Sequence, residues 1–106
     1  MREGVGRYQF NNGSYYQGEW KEGAKHGKGK LAIVEYYIYE GEWRDDVKHG
    51  TGEQEWIGSC KWAGDKYKGD YSEGKRNGYG VYYYVNGDVY EGNWVNGMRE
   101  GKGSLK

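Results

Sequence analysis

An aromatic, a spacer, a glycine, a spacer and a second aromatic recur four times along this chain. The copies are Tyr16-Gln17-Gly18-Glu19-Trp20, Tyr39-Glu40-Gly41-Glu42-Trp43, Tyr67-Lys68-Gly69-Asp70-Tyr71 and Tyr90-Glu91-Gly92-Asn93-Trp94. A Gly-x-Gly follows each at a fixed offset (Gly27/Gly29, Gly50/Gly52, Gly78/Gly80, Gly101/Gly103), and Gly4/Gly6 precede the first copy. Tyr16 to Tyr39 and Tyr67 to Tyr90 are each 23 residues apart, and Tyr39 to Tyr67 is 28. A fixed period in this range marks a repeat array. Such arrays build binding surfaces, which turns the expectation away from catalysis.

Within each copy the pattern has period two. In Tyr39-Glu40-Gly41-Glu42-Trp43 the aromatics and Gly share one face and the acids the other. The segments after each Gly-x-Gly alternate likewise, as in Gly29-x-Leu31-x-Ile33, Gly52-x-Gln54-x-Trp56 and Gly80-x-Tyr82-x-Tyr84. Such alternation predicts half-buried strands. Asn12-Gly13 and Asn86-Gly87 read as two-residue hairpin turns, and Glu22-Gly23, Asp45-Asp46, Glu73-Gly74 and Asn96-Gly97 mark the opposite ends. The expected fold is all-β: an elongated, twisted, single-layer antiparallel meander of stacked hairpins. It spans 1–106 as one array, with a partial repeat at 1–15, repeats at about 16–38, 39–66 and 67–89, and an incomplete one at 90–106. Both ends fall inside a repeat, as in a piece of a longer array or a very small protein. Five extra residues fall within Ile57–Gly64 and predict a longer loop, with Trp62 folded back or exposed.

Only 2 Leu and 3 Ile stand against 13 Tyr and 5 Trp, so the core must be aromatic. Each buried ring removes on the order of 150–250 Å² from water. Glycine inside a strand weakens it unless something needs the room. Here a ring can lie flat over the bare backbone of the neighbouring strand, so that stacked repeats pack Tyr and Trp across the glycines. A single-layer sheet is also expected to leave part of its ring face open, and an exposed apolar patch is a partner site. The candidate contacts are Tyr16, Trp20, Tyr39, Trp43, Tyr67, Tyr71, Tyr90 and Trp94.

Charge is balanced at 16 basic and 16 acidic residues, which gives no whole-chain field to steer nucleic acid, so none is expected as a partner. Two residues before each Gly-x-Gly stands a base: Arg2, Lys25, Lys48, Arg76 and Arg99. Two strands per repeat would space these roughly 10 Å apart, drawing a line about 40 Å long at one rim. Such a line suits lipid headgroups or an acidic segment. The bland alternative is a solvated rim neutralised by Glu3, Glu22, Asp45, Asp46, Glu73 and Glu100. Glu19, Glu42 and Asp70 are expected to pair across strands with Lys28 and Lys30.

Catalytic signals are missing. Gly-x-Gly lacks the strand–loop–helix setting of a phosphate loop. His26 and His49 occupy equivalent positions without a third ligand in register, so they read as surface imidazoles. Cys60 reads as an inert loop thiol. The expectation is no enzyme, cofactor or metal. The start Met1-Arg2-Glu3-Gly4 does not resemble a signal peptide, so Asn12-Gly13-Ser14 reads as a chance sequon and the chain as cytoplasmic.

The blocks resemble the MORN repeat (membrane occupation and recognition nexus): Tyr-x-Gly-x-Trp, then a Gly-x-Gly and a Tyr-rich strand. Tyr39 to Gly52 matches closely, Tyr16 to Gly29 and Tyr90 to Gly103 nearly as well. The third copy departs, with Tyr71 for Trp. The choline-binding cell-wall repeat looks similar but lacks Gly-x-Gly seven residues after the Trp. The resemblance implies an accessory binding module, as in junctophilins, phosphatidylinositol-phosphate kinases, ciliary radial-spoke proteins and parasite cytoskeletal scaffolds. Implied roles are dimerisation, holding a partner's helix or extended peptide in an aromatic groove, and association with phosphoinositides or the cytoskeleton. Three readings therefore stand: a protein-binding scaffold that self-associates through open terminal strands, recognition of anionic phospholipid by the basic rim, and carbohydrate or choline-type binding in aromatic cages.

Overall fold

Alternating aromatic and polar residues, punctuated by glycines that tolerate positive φ, produce strands joined by short turns. The computed structural model describes residues 4–105. They form nine strands: β1 Gly4–Gln9, β2 Tyr15–Lys21, β3 Ala24–Ile33, β4 Tyr37–Arg44, β5 Val47–Trp56, β6 Lys66–Ser72, β7 Lys75–Tyr83, β8 Val89–Val95 and β9 Met98–Leu105. All are antiparallel and pair in sequence order in one sheet. The principal extents are 44 × 27 × 16 Å, and the short axis leaves room for one sheet with side chains on both faces.

One end of the meander is closed by two-residue turns with positive φ at both central residues: Glu22 and Gly23, Asp45 and Asp46, Glu73 and Gly74, Asn96 and Gly97. This is the type I′ geometry that matches strand twist. The turns also tie repeat to repeat. The N–H of Asp46 donates to the Lys25 carbonyl (3.0 Å), Gly74 to Lys48 (2.9 Å) and Gly97 to Arg76 (2.9 Å). The other end corrects the sequence reading. Asn12-Gly13 and Asn86-Gly87 sit in three-residue loops, closed by Phe10 N–H to the Ser14 carbonyl and Tyr84 N–H to the Asp88 carbonyl. Asn12 and Asn86 each accept the N–H two residues on, at 2.9 Å. That local bond adds a residue to the turn and leaves the glycine left-handed, as in a bulged hairpin.

The glycine columns hold the register. Gly18 pairs with Gly29, Gly41 with Gly52 and Gly69 with Gly80. Just beyond each pair the register slips at a bulge, with positive φ at Gly27, Gly50 and Gly78. The carboxylates of Glu19, Glu42 and Asp70 reach over these bulges and accept the N–H of Lys28 (2.9 Å), Thr51 (2.9 Å) and Tyr79 (3.1 Å). They serve the backbone and not the side chains of Lys28 and Lys30, because the bulge leaves a donor that the ladder cannot use.

The inserted loop packs between the two neighbouring hairpin loops. Ile57 N–H donates to the Tyr36 carbonyl (2.8 Å), and Asp65 accepts Val85 N–H (2.8 Å) and the Tyr82 hydroxyl (2.7 Å). Trp62 is 45% exposed. Cys60 is half-buried, its thiol turned to the Tyr36 carbonyl.

Candidate functional site

The eight aromatic candidates come together on one face. Each Tyr of the first three copies lies over the second glycine of its own Gly-x-Gly. A Cβ on Gly29, Gly52 or Gly80 would overlap the hydroxyl of Tyr16, Tyr39 or Tyr67. Those hydroxyls donate to the carbonyls of Glu19, Glu42 and Asp70, each at 2.9 Å. The Trp indoles donate back across the repeat: Trp20 to Gly6 (3.3 Å), Trp43 to Gly29 (3.1 Å) and Trp94 to Gly80 (3.4 Å).

The rings form one continuous edge-to-face series, Trp20–Tyr16–Trp43–Tyr39–Tyr71–Tyr67–Trp94–Tyr90, with centroids 4.9 to 5.6 Å apart. Each such pair contributes roughly 0.5–1.5 kcal/mol beyond burial. The expectation of a half-open ring face is corrected. Seven of the eight rings are buried, Tyr16, Tyr39 and Tyr67 completely, and Trp20 is half-buried. Rings packed edge to face cover one another, so the aromatic layer is itself the core. Trp56 and Tyr82 join it, 5.5 Å apart. The period-two pattern of the second strands marks both.

The third copy departs from the pattern in two coordinated places. Tyr71 has no indole N–H, and its hydroxyl donates to the Gln54 side-chain carbonyl at 2.9 Å. Gln54 is buried where the equivalent strands carry Leu31 and Tyr82. The Lys48 ammonium donates to the same oxygen at 2.8 Å.

The basic column also lies elsewhere than expected. Lys25 pairs across the ladder with Trp20, Lys48 with Trp43, Arg76 with Tyr71 and Arg99 with Trp94, so the bases share the aromatic face. Half-buried Lys25, Lys48 and Arg76 lean over the rings instead of standing at a solvated rim, and Arg99 lies over a ring while remaining exposed. Lys25 sits over Tyr16 and Trp43 (5.6 and 5.4 Å), and Lys48 over Tyr37, Tyr39 and Tyr71 (4.3, 5.2 and 5.7 Å). Arg76 lies over Trp94 at 4.8 Å and Tyr82 at 5.4 Å, and Arg99 over Tyr90 at 5.3 Å. The reason is attraction to ring faces combined with apolar stems that cover ring edges. Arg2 lies outside the described residues.

Burial, and then the charge of Arg76, push the Lys48 ammonium down to about 8. Burial, and then the Glu19 and Asp46 charges, push the Tyr16 hydroxyl up to about 12; Tyr39 and Tyr71 are raised further, chiefly by burial.

The opposite face is polar and carries a shallow groove of about 550 Å³ floored by Gly41, Gly52 and Gly69, with Glu40, Glu53, Lys68 and Tyr79 on its walls. His26 and His49 line a smaller hollow beside Glu19 and Glu42. Among the described residues, no three metal-ligating side chains converge, and no helix is long and apolar enough to cross a membrane.

A family model, the MORN repeat, matches the chain at residues 1–15, 16–32, 39–61, 67–89 and 90–106.

Proposed function

The chain belongs to the MORN repeat family, whose repeats are generally protein- or membrane-binding modules, and from that premise we propose a non-catalytic scaffold that holds a protein segment across its aromatic face. The observation that carries this reading is the row of Lys25, Lys48, Arg76 and Arg99 laid over a rigid ring layer. The rings would act through what covers them. Tyr16, Trp20, Tyr39, Trp43, Tyr67, Tyr71, Tyr90 and Trp94 fix the surface, and the cations and half-buried Tyr37, Ile33 and Tyr84 meet the partner. Preformed surfaces of this kind bind without a large ordering cost.

Two other readings are weaker. Anionic lipid would meet the same cations, but exposed Asp45, Asp46 and Glu73 stand at the same turn end. A choline-type ligand would have to displace the chain's own Lys and Arg from the rings. Pairing of a second copy on the edge strands β1 or β9 remains compatible with a partner on the face.

The test is selection of dodecapeptides from a random phage-displayed library on the intact chain, with each binder mapped by amide shifts. Footprints on the aromatic face support the reading. Footprints confined to the polar face, or sedimentation with phosphatidylserine vesicles and no peptide binding, contradict it.

A further inference from the structure

Between the first two full repeats a pocket of about 210 Å³ opens on the aromatic face. Leu31, Tyr37, Trp43 and Val47 line it, with Lys25, Asp46 and Lys48 at its polar side. The volume lies below the roughly 300–1,000 Å³ of small-molecule sites, and suits one inserted side chain.

The two lysines differ. Lys25 is neutralised by Asp46, 3.4 Å away, which also accepts the Lys25 N–H at 2.7 Å. Lys48 donates to the neutral Gln54 oxygen and lies over the rings of Tyr37, Tyr39 and Tyr71. The next cation along the row, Arg76, donates to the Gly97 carbonyl at 2.8 Å. Among the described residues neither Lys48 nor Arg76 has a carboxylate at ion-pair distance, and the Arg76 charge adds to the cost of the Lys48 charge. A half-buried ammonium without a counterion raises the free energy of the free protein, and an incoming anion relieves it.

We propose that this pocket takes the anchor of an acidic protein segment: one apolar side chain seated on Leu31, Tyr37, Trp43 and Val47, and an adjacent Asp or Glu carboxylate held against Lys48. The inference rests on the aromatic face being the partner surface, and adds the chemistry of the partner. A peptide suits the geometry better than a bilayer. A flat membrane meets what protrudes, and here that includes exposed Asp45 and Asp46; Asp46 is already paired with Lys25, and an inserted side chain can reach the recessed Lys48 ammonium.

The same dodecapeptide selection, carried into affinity measurements, tests it. Peptides that footprint on Leu31, Tyr37 and Trp43 should carry Asp or Glu beside Leu, Ile, Phe or Trp. Changing that acid to its amide in the peptide should weaken binding about tenfold or more, as should Lys48→Gln in the protein. Lys28→Gln, on the polar face, should leave affinity unchanged. The peptide substitution needs no altered protein, so it decides the matter even if Lys48→Gln folds poorly. Aromatic-face binders without acidic bias, or indifferent to the amide change, overturn this inference and leave the broader reading standing. Footprints only on the polar face overturn both. Binding of phosphatidylserine vesicles alone, abolished by Lys48→Gln, assigns Lys48 to lipid and overturns the peptide occupant.

Discussion

The Tyr39 ring rests on the bare backbone of Gly52, one strand away, at a distance that leaves no space for a Cβ. The same relationship joins Tyr16 to Gly29 and Tyr67 to Gly80. It predicts that Gly52→Ala destabilises the fold by roughly 1–3 kcal/mol, the cost of overpacking. Gly6→Ala, where a Cβ meets only the Trp20 ring edge at 3.6 Å, should stay within about 0.5 kcal/mol. A Cβ on Gly52 would also stand 2.5 Å from two ring carbons of Tyr39, so Tyr39→Phe should relieve little of the Gly52→Ala cost, whereas in Tyr39→Ala, which removes the ring, adding Gly52→Ala should cost far less than in the parent. Urea unfolding midpoints of these chains give the coupling.

The Tyr71–Gln54–Lys48 cluster predicts non-additivity of another kind. Gln54→Leu strands the Tyr71 hydroxyl and the Lys48 ammonium, and should cost roughly 1–3 kcal/mol. Tyr71→Trp together with Gln54→Leu rebuilds the pattern of the second copy, with an indole N–H directed to the Gly52 carbonyl. The double variant should recover the part of the loss that comes from the Tyr71 hydroxyl in thermal unfolding, while Lys48 stays without its acceptor.

Glu42 spans its bulge through one acceptor oxygen on the Thr51 N–H. Glu42→Ala should lose about 1 kcal/mol, and Glu42→Gln, which keeps an acceptor, less. Exchange of the Thr51 amide with deuterium should accelerate most in the alanine variant.

Lys48 gives stability a pH dependence with a defined sign. Its folded pKa, about 8, lies below the ordinary lysine value, so the folded state releases a proton that the unfolded chain keeps. Stability should therefore rise from pH 8 toward 10, on the order of 2 kcal/mol, as the penalty of a buried charge is removed. Above pH 10 the sign reverses. Tyr16, Tyr39, Tyr67 and Tyr71 hold their protons in the fold to higher pH than the unfolded chain does, so stability falls. Chemical unfolding across pH 7–12 should show a maximum near 10, and Lys48→Met should remove the rising limb.

The strands, their order and the shared aromatic face were legible because a period of two, repeated four times, leaves one consistent register. The glycine pairing Gly41–Gly52 follows from that register. Ring tilt does not. Pattern says that Tyr39 and Trp43 share a face, but not that they stand edge to face and close over each other. The inward lean of Lys25 and Lys48 was hidden for a similar reason: a column of bases looks alike whether its long stems reach water or fold onto rings. The role of Glu19, Glu42 and Asp70 depended on bulges at Gly27, Gly50 and Gly78, which a pattern of alternating residues does not reveal. Gln54, a polar residue in a core column, was the visible sign that the Tyr71 position differs.

Burial of the aromatic layer within a single sheet can be measured directly by acrylamide quenching of tryptophan emission in Trp62→Phe, which removes the exposed indole of the insertion loop. The remaining indoles, at Trp20, Trp43, Trp56 and Trp94, should be quenched several-fold less than in the urea-unfolded chain. Quenching equal in the folded and unfolded chains would mean that the rings stand open to solvent, and that they are not the core.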